Sequence, residues 1–218
     1  MQLVAVDRNY INGEWVATGS LGWPKFEVIR PSDESVLGAL ALSDAAAVDK
    51  AVVAAKQAFK SFGRSSKEDR MEILARLIEA YQRRYDEMVF AISSEMGAPV
   101  TLSRNAQAAV GLGLLKSMRK TLEGYCFTEA HGDARICREP IGVAGMITPW
   151  NWPMNQVVSK VAAALAAGST MVLKPSEYSP YSAALFAEIV DEAEVPPGVF
   201  NLIQGDLVAG EALSKHPD

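Results

Sequence analysis

The sequence predicts an α/β fold, an open parallel sheet with flanking helices, preceded by a mostly helical N-terminal segment that carries small β-hairpins. Three observations point there. After Ile141 short apolar runs alternate with helical stretches across short connections, the pattern of parallel strands joined by right-handed crossovers. Up to about residue 123, apolar residues recur mainly at helical spacing. The composition, 49% hydrophobic and 22% charged over 218 residues, is that of a globular chain forming one large domain or two small ones.

Taken in order, Tyr10-Ile-Asn-Gly-Glu-Trp-Val16 reads as a hairpin, because Asn12-Gly13 accepts the positive φ angles of a tight turn. Phe26–Ile29 and Ser35–Leu42 are short strands around the turn at Pro31-Ser32-Asp33. Ser43 is placed to cap a helix running from Asp44 to about Phe62. Ser66-Lys67-Glu68-Asp69 resembles a capping box opening a helix with Met71, Leu74, Leu77, Ile78 and Tyr81 on one stripe. A third helix runs to Met96 and stops at Gly97, and a fourth covers about Ser103 to Leu122. Tyr125–Arg138 is a hairpin turning near His131-Gly132-Asp133. Then come a buried strand over Ile141–Thr148, a helix over Met154–Ala167 and a strand over Thr170–Leu173. A helix over Tyr181–Glu194, a strand over Val199–Ile203 and the start of a helix after Gly205-Asp206 complete the series.

Composition also excludes several function classes. The net charge of −5, from 21 basic and 26 acidic residues, argues against a nucleic-acid surface. The longest apolar run, Val161–Leu173, is interrupted by Gly168, Ser169 and Thr170 and is too short to span a bilayer. The opening residues lack the basic and apolar regions of a secretory leader, and two cysteines make no disulfide framework. A soluble cytoplasmic protein with no nucleic-acid or membrane partner is the expectation.

In an open parallel sheet, ligands bind beyond the carboxyl ends of the strands. That rule selects the loops Thr148-Pro-Trp-Asn151, Lys174-Pro-Ser-Glu177 and Gly205-Asp206. A lysine donor beside a carboxylate acceptor, at the end of the second strand, suits the two hydroxyls of a ribose. The same spacing also admits a solvated surface pair. Asn151, between two tryptophans and two prolines, has an amide suited to donate to a developing oxyanion. Asparagine is also frequent in turns, where its side chain bonds nearby backbone. The loop after the first strand lacks Gly-x-Gly-x-x-Gly, so a pyrophosphate cannot settle there on a glycine-cradled helix start.

Ile-Thr-Pro-Trp-Asn151-Trp-Pro, then Leu-Lys174-Pro-Ser-Glu177, Pro-Pro-Gly198-Val-Phe-Asn201-Leu-Ile and Gly-Glu-Ala-Leu together resemble the aldehyde dehydrogenase superfamily. Tyr-Ile-Asn-Gly13-Glu-Trp, Glu95-Met-Gly-Ala-Pro99 and Arg-Glu-Pro140-Ile-Gly-Val extend the resemblance over nearly the whole chain in one register. The resemblance implies an incomplete aldehyde dehydrogenase-like fold with a Rossmann-like sheet. Residues 1–123 would be the N-terminal part of the cofactor-binding domain, 124–140 the oligomerisation hairpin, and 141–218 the βαβαβ cofactor-binding segment. It further implies NAD(P)-dependent oxidation of an aldehyde to the acid through a cysteine thiohemiacetal and thioester. By resemblance Asn151 is the oxyanion donor, and Lys174 and Glu177 hold the adenosine ribose with Ser176 and Gly205 beside them. Ile147, Thr148, Pro149 and Trp150 line the cofactor path, and the hairpin supports a homodimer or homotetramer. Glu177 would repel a 2′-phosphate, which favours NAD over NADP.

Two departures stand out. The family's catalytic cysteine, its general-base glutamate and a glycine-rich loop fall downstream of Asp218, and Cys126 and Cys137 on the hairpin do not replace them. After the third strand, Gly205-Asp206-Leu207 stands where the family has Gly-x-Gly-Pro, in a loop one residue shorter. The 218 residues alone are therefore expected to be inactive. The alternatives are a truncated nucleotide-binding or oligomerisation fragment, and a member that passes its acyl group to coenzyme A.

Overall fold

The computed structural model describes residues 6–18 and 25–218. Residues 1–5, on which the expectation about a secretory leader falls, lie outside the described residues. Strands β1 (Arg8–Ile11) and β2 (Glu14–Ala17) form the hairpin expected from Asn12-Gly13, whose φ angles are +56° and +79°. Strands β3 (Lys25–Ile29) and β4 (Val36–Ala41) pair antiparallel in a separate two-stranded sheet. The alternating segment forms β7 (Val143–Thr148), β8 (Thr170–Pro175) and β9 (Phe200–Leu202), all parallel. Ile141 stays outside β7, because Gly142 adopts a φ of +117° and the ladder begins after it.

The N-terminal hairpin does not form a sheet of its own. The strand order is β2-β1-β9-β8-β7, so the hairpin extends the parallel sheet beyond β9 in antiparallel sense. Asn201 on β9 secures the join: its Oδ1 accepts from the Asn12 amide at 2.9 Å. Its Nδ2 donates to the carbonyls of Met171 at 3.0 Å and Gly198 at 2.8 Å. A fully buried amide is thereby satisfied on both sides.

Helix α1 (Ala45–Phe62) is capped by Asp44, whose carboxylate accepts from the Ala47 amide, and not by Ser43 as the sequence suggested. Ser43 is committed elsewhere. Its hydroxyl exchanges hydrogen bonds with Asn9, and its amide donates to the Gln204 carbonyl at 3.0 Å. The capping box of α2 (Lys67–Arg83) forms as expected between Ser66 and Asp69. Helix α3 (Tyr85–Met96) ends at Gly97 with φ +75°. The expected fourth helix is a composite: a short α4 (Val100–Leu102), a π-helical turn (Ser103–Gln107), then α5 (Ala108–Gly124). Strands β5 (Thr128–His131) and β6 (Ala134–Cys137) make the second hairpin, with every residue exposed. Helices α6 (Pro153–Ala167) and α7 (Pro180–Glu192) each start with proline at their first turn, where the missing N–H costs nothing. Helix α8 (Leu207–Ser214) is capped by Asp206.

Alternate residues of β8 and β9 face opposite layers, as the two-residue period of a strand requires. Met171, Leu173, Phe200 and Leu202 join the large core built with α2, α3, α5, α6 and α7. Val172 and Ile203 join a smaller core under α1 and α8, with Val48, Val52, Ala209 and Leu213. Helices therefore cover both faces of the central strands, which is why β8 is buried along its whole length.

Candidate functional site at the carboxyl rim of the sheet

Because β7, β8 and β9 are parallel, the segments after Thr148, Lys174 and Ile203 emerge on one rim. The register sets Ile147 beside Lys174 and Thr148 beside Pro175. Three of the loops expected from the sequence are thus brought together, and Asn151, Lys174 and Gly205 share the rim. Thr148 is buried, whereas Ile147, Pro149, Trp150 and Asn151 are exposed. Ile147 and Trp150, each about half exposed (48% and 50%), give this part of the rim an apolar lip.

Lys174 is not part of a solvated surface pair. Its side chain is 7% exposed, Glu177 is 25% exposed, and Nζ stands 3.4 Å from the Glu177 carboxylate. Removing an ammonium from water is expensive unless it is paired and hydrogen-bonded. Here one carboxylate oxygen takes one of its three donors, which leaves donor capacity beside an acceptor. The lysine stem passes under α8, with Cδ 3.7 Å from where a Cβ on Gly210 would stand.

Ser176, between the two in sequence, is buried, and its Oγ accepts from the Tyr178 amide at 3.3 Å, so its oxygen serves the loop's own turn. Gly205 is also buried. A Cβ there would lie 2.6 Å from the Ala209 Cβ, so only glycine lets the first turn of α8 close against the strand end. Gln204 holds the same end from three directions. Its amide donates to Asn9 Oδ1 at 2.8 Å, its carbonyl accepts from Ser43, and its Nε2 donates to the Pro180 carbonyl at 3.2 Å.

Two supporting residues escaped the sequence reading. Gln107, at the end of the π-helical turn, donates from Nε2 to the Asn151 backbone carbonyl at 3.4 Å. Glu95, fully buried on α3, receives the first amides of α7: Tyr181 at 2.7 Å and Ser182 at 3.2 Å. Burial pushes the Glu95 carboxyl up to about 7, against the opposing pull of those amides. Helical spacing carried the signal for both. Glu95 continues the buried stripe of Met88 and Ile92, and Gln107 continues that of Gly111 and Leu115. Cys126 and Cys137 are free, exposed and on or beside the β5–β6 hairpin, Cys126 two residues ahead of β5.

Three parallel strands whose carboxyl ends gather a buried ammonium, a carboxylate and an exposed amide, with helices on both faces, define an open-sheet α/β protein with polar groups at the rim where such sheets bind ligands. The family model for the aldehyde dehydrogenase family matches residues 15–218, and the chain belongs to that family. It is 49% identical over 211 residues to the 3-succinoylsemialdehyde-pyridine dehydrogenase of a Pseudomonas species, covering 96% of this chain and 44% of that protein. Its fold matches an aldehyde dehydrogenase from Bartonella henselae with a TM-score of 0.95 at 44% identity, over 99% of this chain and 46% of the other. A mutant aldehyde dehydrogenase C from Pseudomonas syringae, in complex with NAD+ and octanal, matches with a TM-score of 0.94 at 43% identity, over 97% of this chain and 44% of the other. The chain thus spans less than half the length of the relatives it matches.

Proposed function

We propose that these residues form the NAD-binding, oxyanion-donating part of an NAD-dependent aldehyde dehydrogenase that oxidises an aldehyde to its acid. The nucleophilic cysteine and the general base would be supplied by residues outside these 218. The observation that carries this reading is the rim itself, where Asn151 and the Lys174–Glu177 pair stand on one edge of one sheet.

The donor set fits the nucleotide. Lys174 keeps unused N–H donors beside the Glu177 carboxylate, and a vicinal diol takes one donor and one acceptor. Glu177 facing a 2′-phosphate would meet like charge, so the pair favours NAD, with NADP the poorer cofactor. Ile147, Thr148, Pro149 and Trp150 line the path from the ribose toward Asn151, with Ser176 and Gly205 shaping the adenosine end. NAD, when bound, supplies the hydride acceptor. Asn151 supplies a preset donor for the aldehyde oxygen as it gains negative charge during thiolate attack. The β5–β6 hairpin, exposed on both strands with Ile136 outward, is the element we assign to assembly of a homodimer or homotetramer.

The test is Asn151→Ala in the complete enzyme. Loss of one oxyanion donor lowers kcat by roughly 10²–10³-fold while NAD affinity holds. A near-normal kcat, or joint loss of NAD binding and folding, would make Asn151 a structural residue.

A further inference from the structure

Gln107 is an amide buried to 1% exposure against the start of α6. Its Nε2 donates to the Asn151 carbonyl at 3.4 Å, while its Oε1 finds no hydrogen-bond partner among the described residues. An apolar side chain of the same shape would fill this space without leaving a buried acceptor unpaired, so packing alone does not account for an amide here. Gln107 also closes the π-helical turn Ser103–Gln107, and such turns re-aim side chains within a helix, frequently beside functional sites.

The frame around it is stiff. Tyr81 Oη donates to the Ala108 carbonyl at 3.0 Å, pinning the residue that follows Gln107. One turn on, Gly111 lets α5 approach α6 so closely that a Cβ would stand 3.1 Å from the Met154 Cβ. The Asn151 loop has less to hold it. The residue before α6, Trp152, makes no side-chain capping bond, and Pro149 and Pro153 restrict their own φ while leaving the Asn151 peptide to be oriented.

We propose that Gln107 is a positioning residue for Asn151: by donating to the Asn151 carbonyl it sets the orientation of that peptide, and with it the aim of the Asn151 side-chain amide. The proposal rests on the reading of Asn151 as the oxyanion donor. Since such a donor acts in the transition state, its misalignment is felt in kcat and not in ground-state binding.

A double-mutant cycle in the complete enzyme separates the possibilities, using Gln107→Met, Asn151→Ala and the double variant. Methionine matches the length of glutamine and removes the unpaired oxygen, so the melting temperature should hold or rise. Gln107→Met should lower kcat by roughly 10-fold or more, with KM for the aldehyde and the NAD dissociation constant unchanged. In the Asn151→Ala background the same change should cost nothing further, because its effect passes through the missing amide. Gln107→Glu, which sets a carboxylate against the carbonyl, should lose at least as much. Equal losses in both backgrounds would overturn the proposal, as would a parental kcat for Gln107→Met while Asn151→Ala is impaired. In the latter case the role of Asn151 survives. A normal kcat for Asn151→Ala removes that role, and the proposal with it.

Discussion

At the scale of single residues, burial decides what Lys174 and Glu177 can do. A lysine–glutamate pair three residues apart is common on wet surfaces and contributes little there. Lys174 is instead nearly enclosed by the sheet and α8, with Glu177 the more exposed partner. On the proposed reading, the carboxylate is the group that would meet a ribose from the solvent side. Glu177→Gln should narrow the gap between NAD and NADP in kcat/KM, chiefly by improving NADP, because the amide no longer repels a 2′-phosphate. Steady-state kinetics with both cofactors read this directly, and an unchanged ratio would show that the carboxylate does not reach the ribose. Asn151 was singled out in the sequence by its setting among prolines and tryptophans together with the family resemblance, and the parallel register sets it on the rim. The burial of Gln107 follows from helical spacing, but its pairing with the Asn151 carbonyl does not, because it spans forty-four positions.

At the scale of elements, α3 and α7 meet through Glu95. The carboxylate takes the place of a local N-cap for α7, whose own preceding residue, Ser179, makes no side-chain capping bond. With its folded-state value raised to about 7 from an ordinary 4.5, Glu95 binds its proton more tightly in the folded chain than in the unfolded one. Between those values the folded state holds more protons, so stability falls as pH rises from about 4.5 to 7 and levels off above. The full span is on the order of 3 kcal/mol. Glu95→Gln keeps one acceptor for the helix amides and carries no charge. Relative to the parent it should therefore melt progressively better as pH is raised from 5 to 8. Melting curves of both proteins across that range test it, and a pH-independent difference would remove the buried carboxylate as the cause. The same scale shows why Ser43 was misread as a cap. Its hydroxyl suits the role, but the return of Asn9 through the sheet engages it first.

At the scale of the whole molecule, the five-stranded sheet unites residues 8–17 with residues 143–202. Helices α1 and α8 cover one face, and α6 and α7 the other. Among the described residues no helix is long and apolar enough to cross a membrane. The two cysteines sit at the β5–β6 hairpin and not at the rim that carries Asn151. On the proposed reading, residues 1–218 by themselves should give no NADH signal with an aldehyde, because neither free thiol stands at the Asn151 rim to attack the carbonyl. An absorbance assay at high protein concentration checks this. Turnover by the purified 218 residues would require a nucleophile within them and would overturn the division of labour proposed here.

By itself, the sequence determined the alternation of β7, α6, β8, α7 and β9, the hairpin at Asn12-Gly13, the capping box at Ser66 and the helix stop at Gly97. Each depends on a local preference, a two- or 3.6-residue period or a φ sign, that neighbouring residues suffice to express. Only the tertiary structure decided that β1 pairs with β9, that Lys174 is buried, and that Glu95 and Gln107 brace α7 and the Asn151 loop. Those facts depend on contacts between distant segments, and the free energy that selects them is burial and hydrogen bonding available only once the chain has closed on itself.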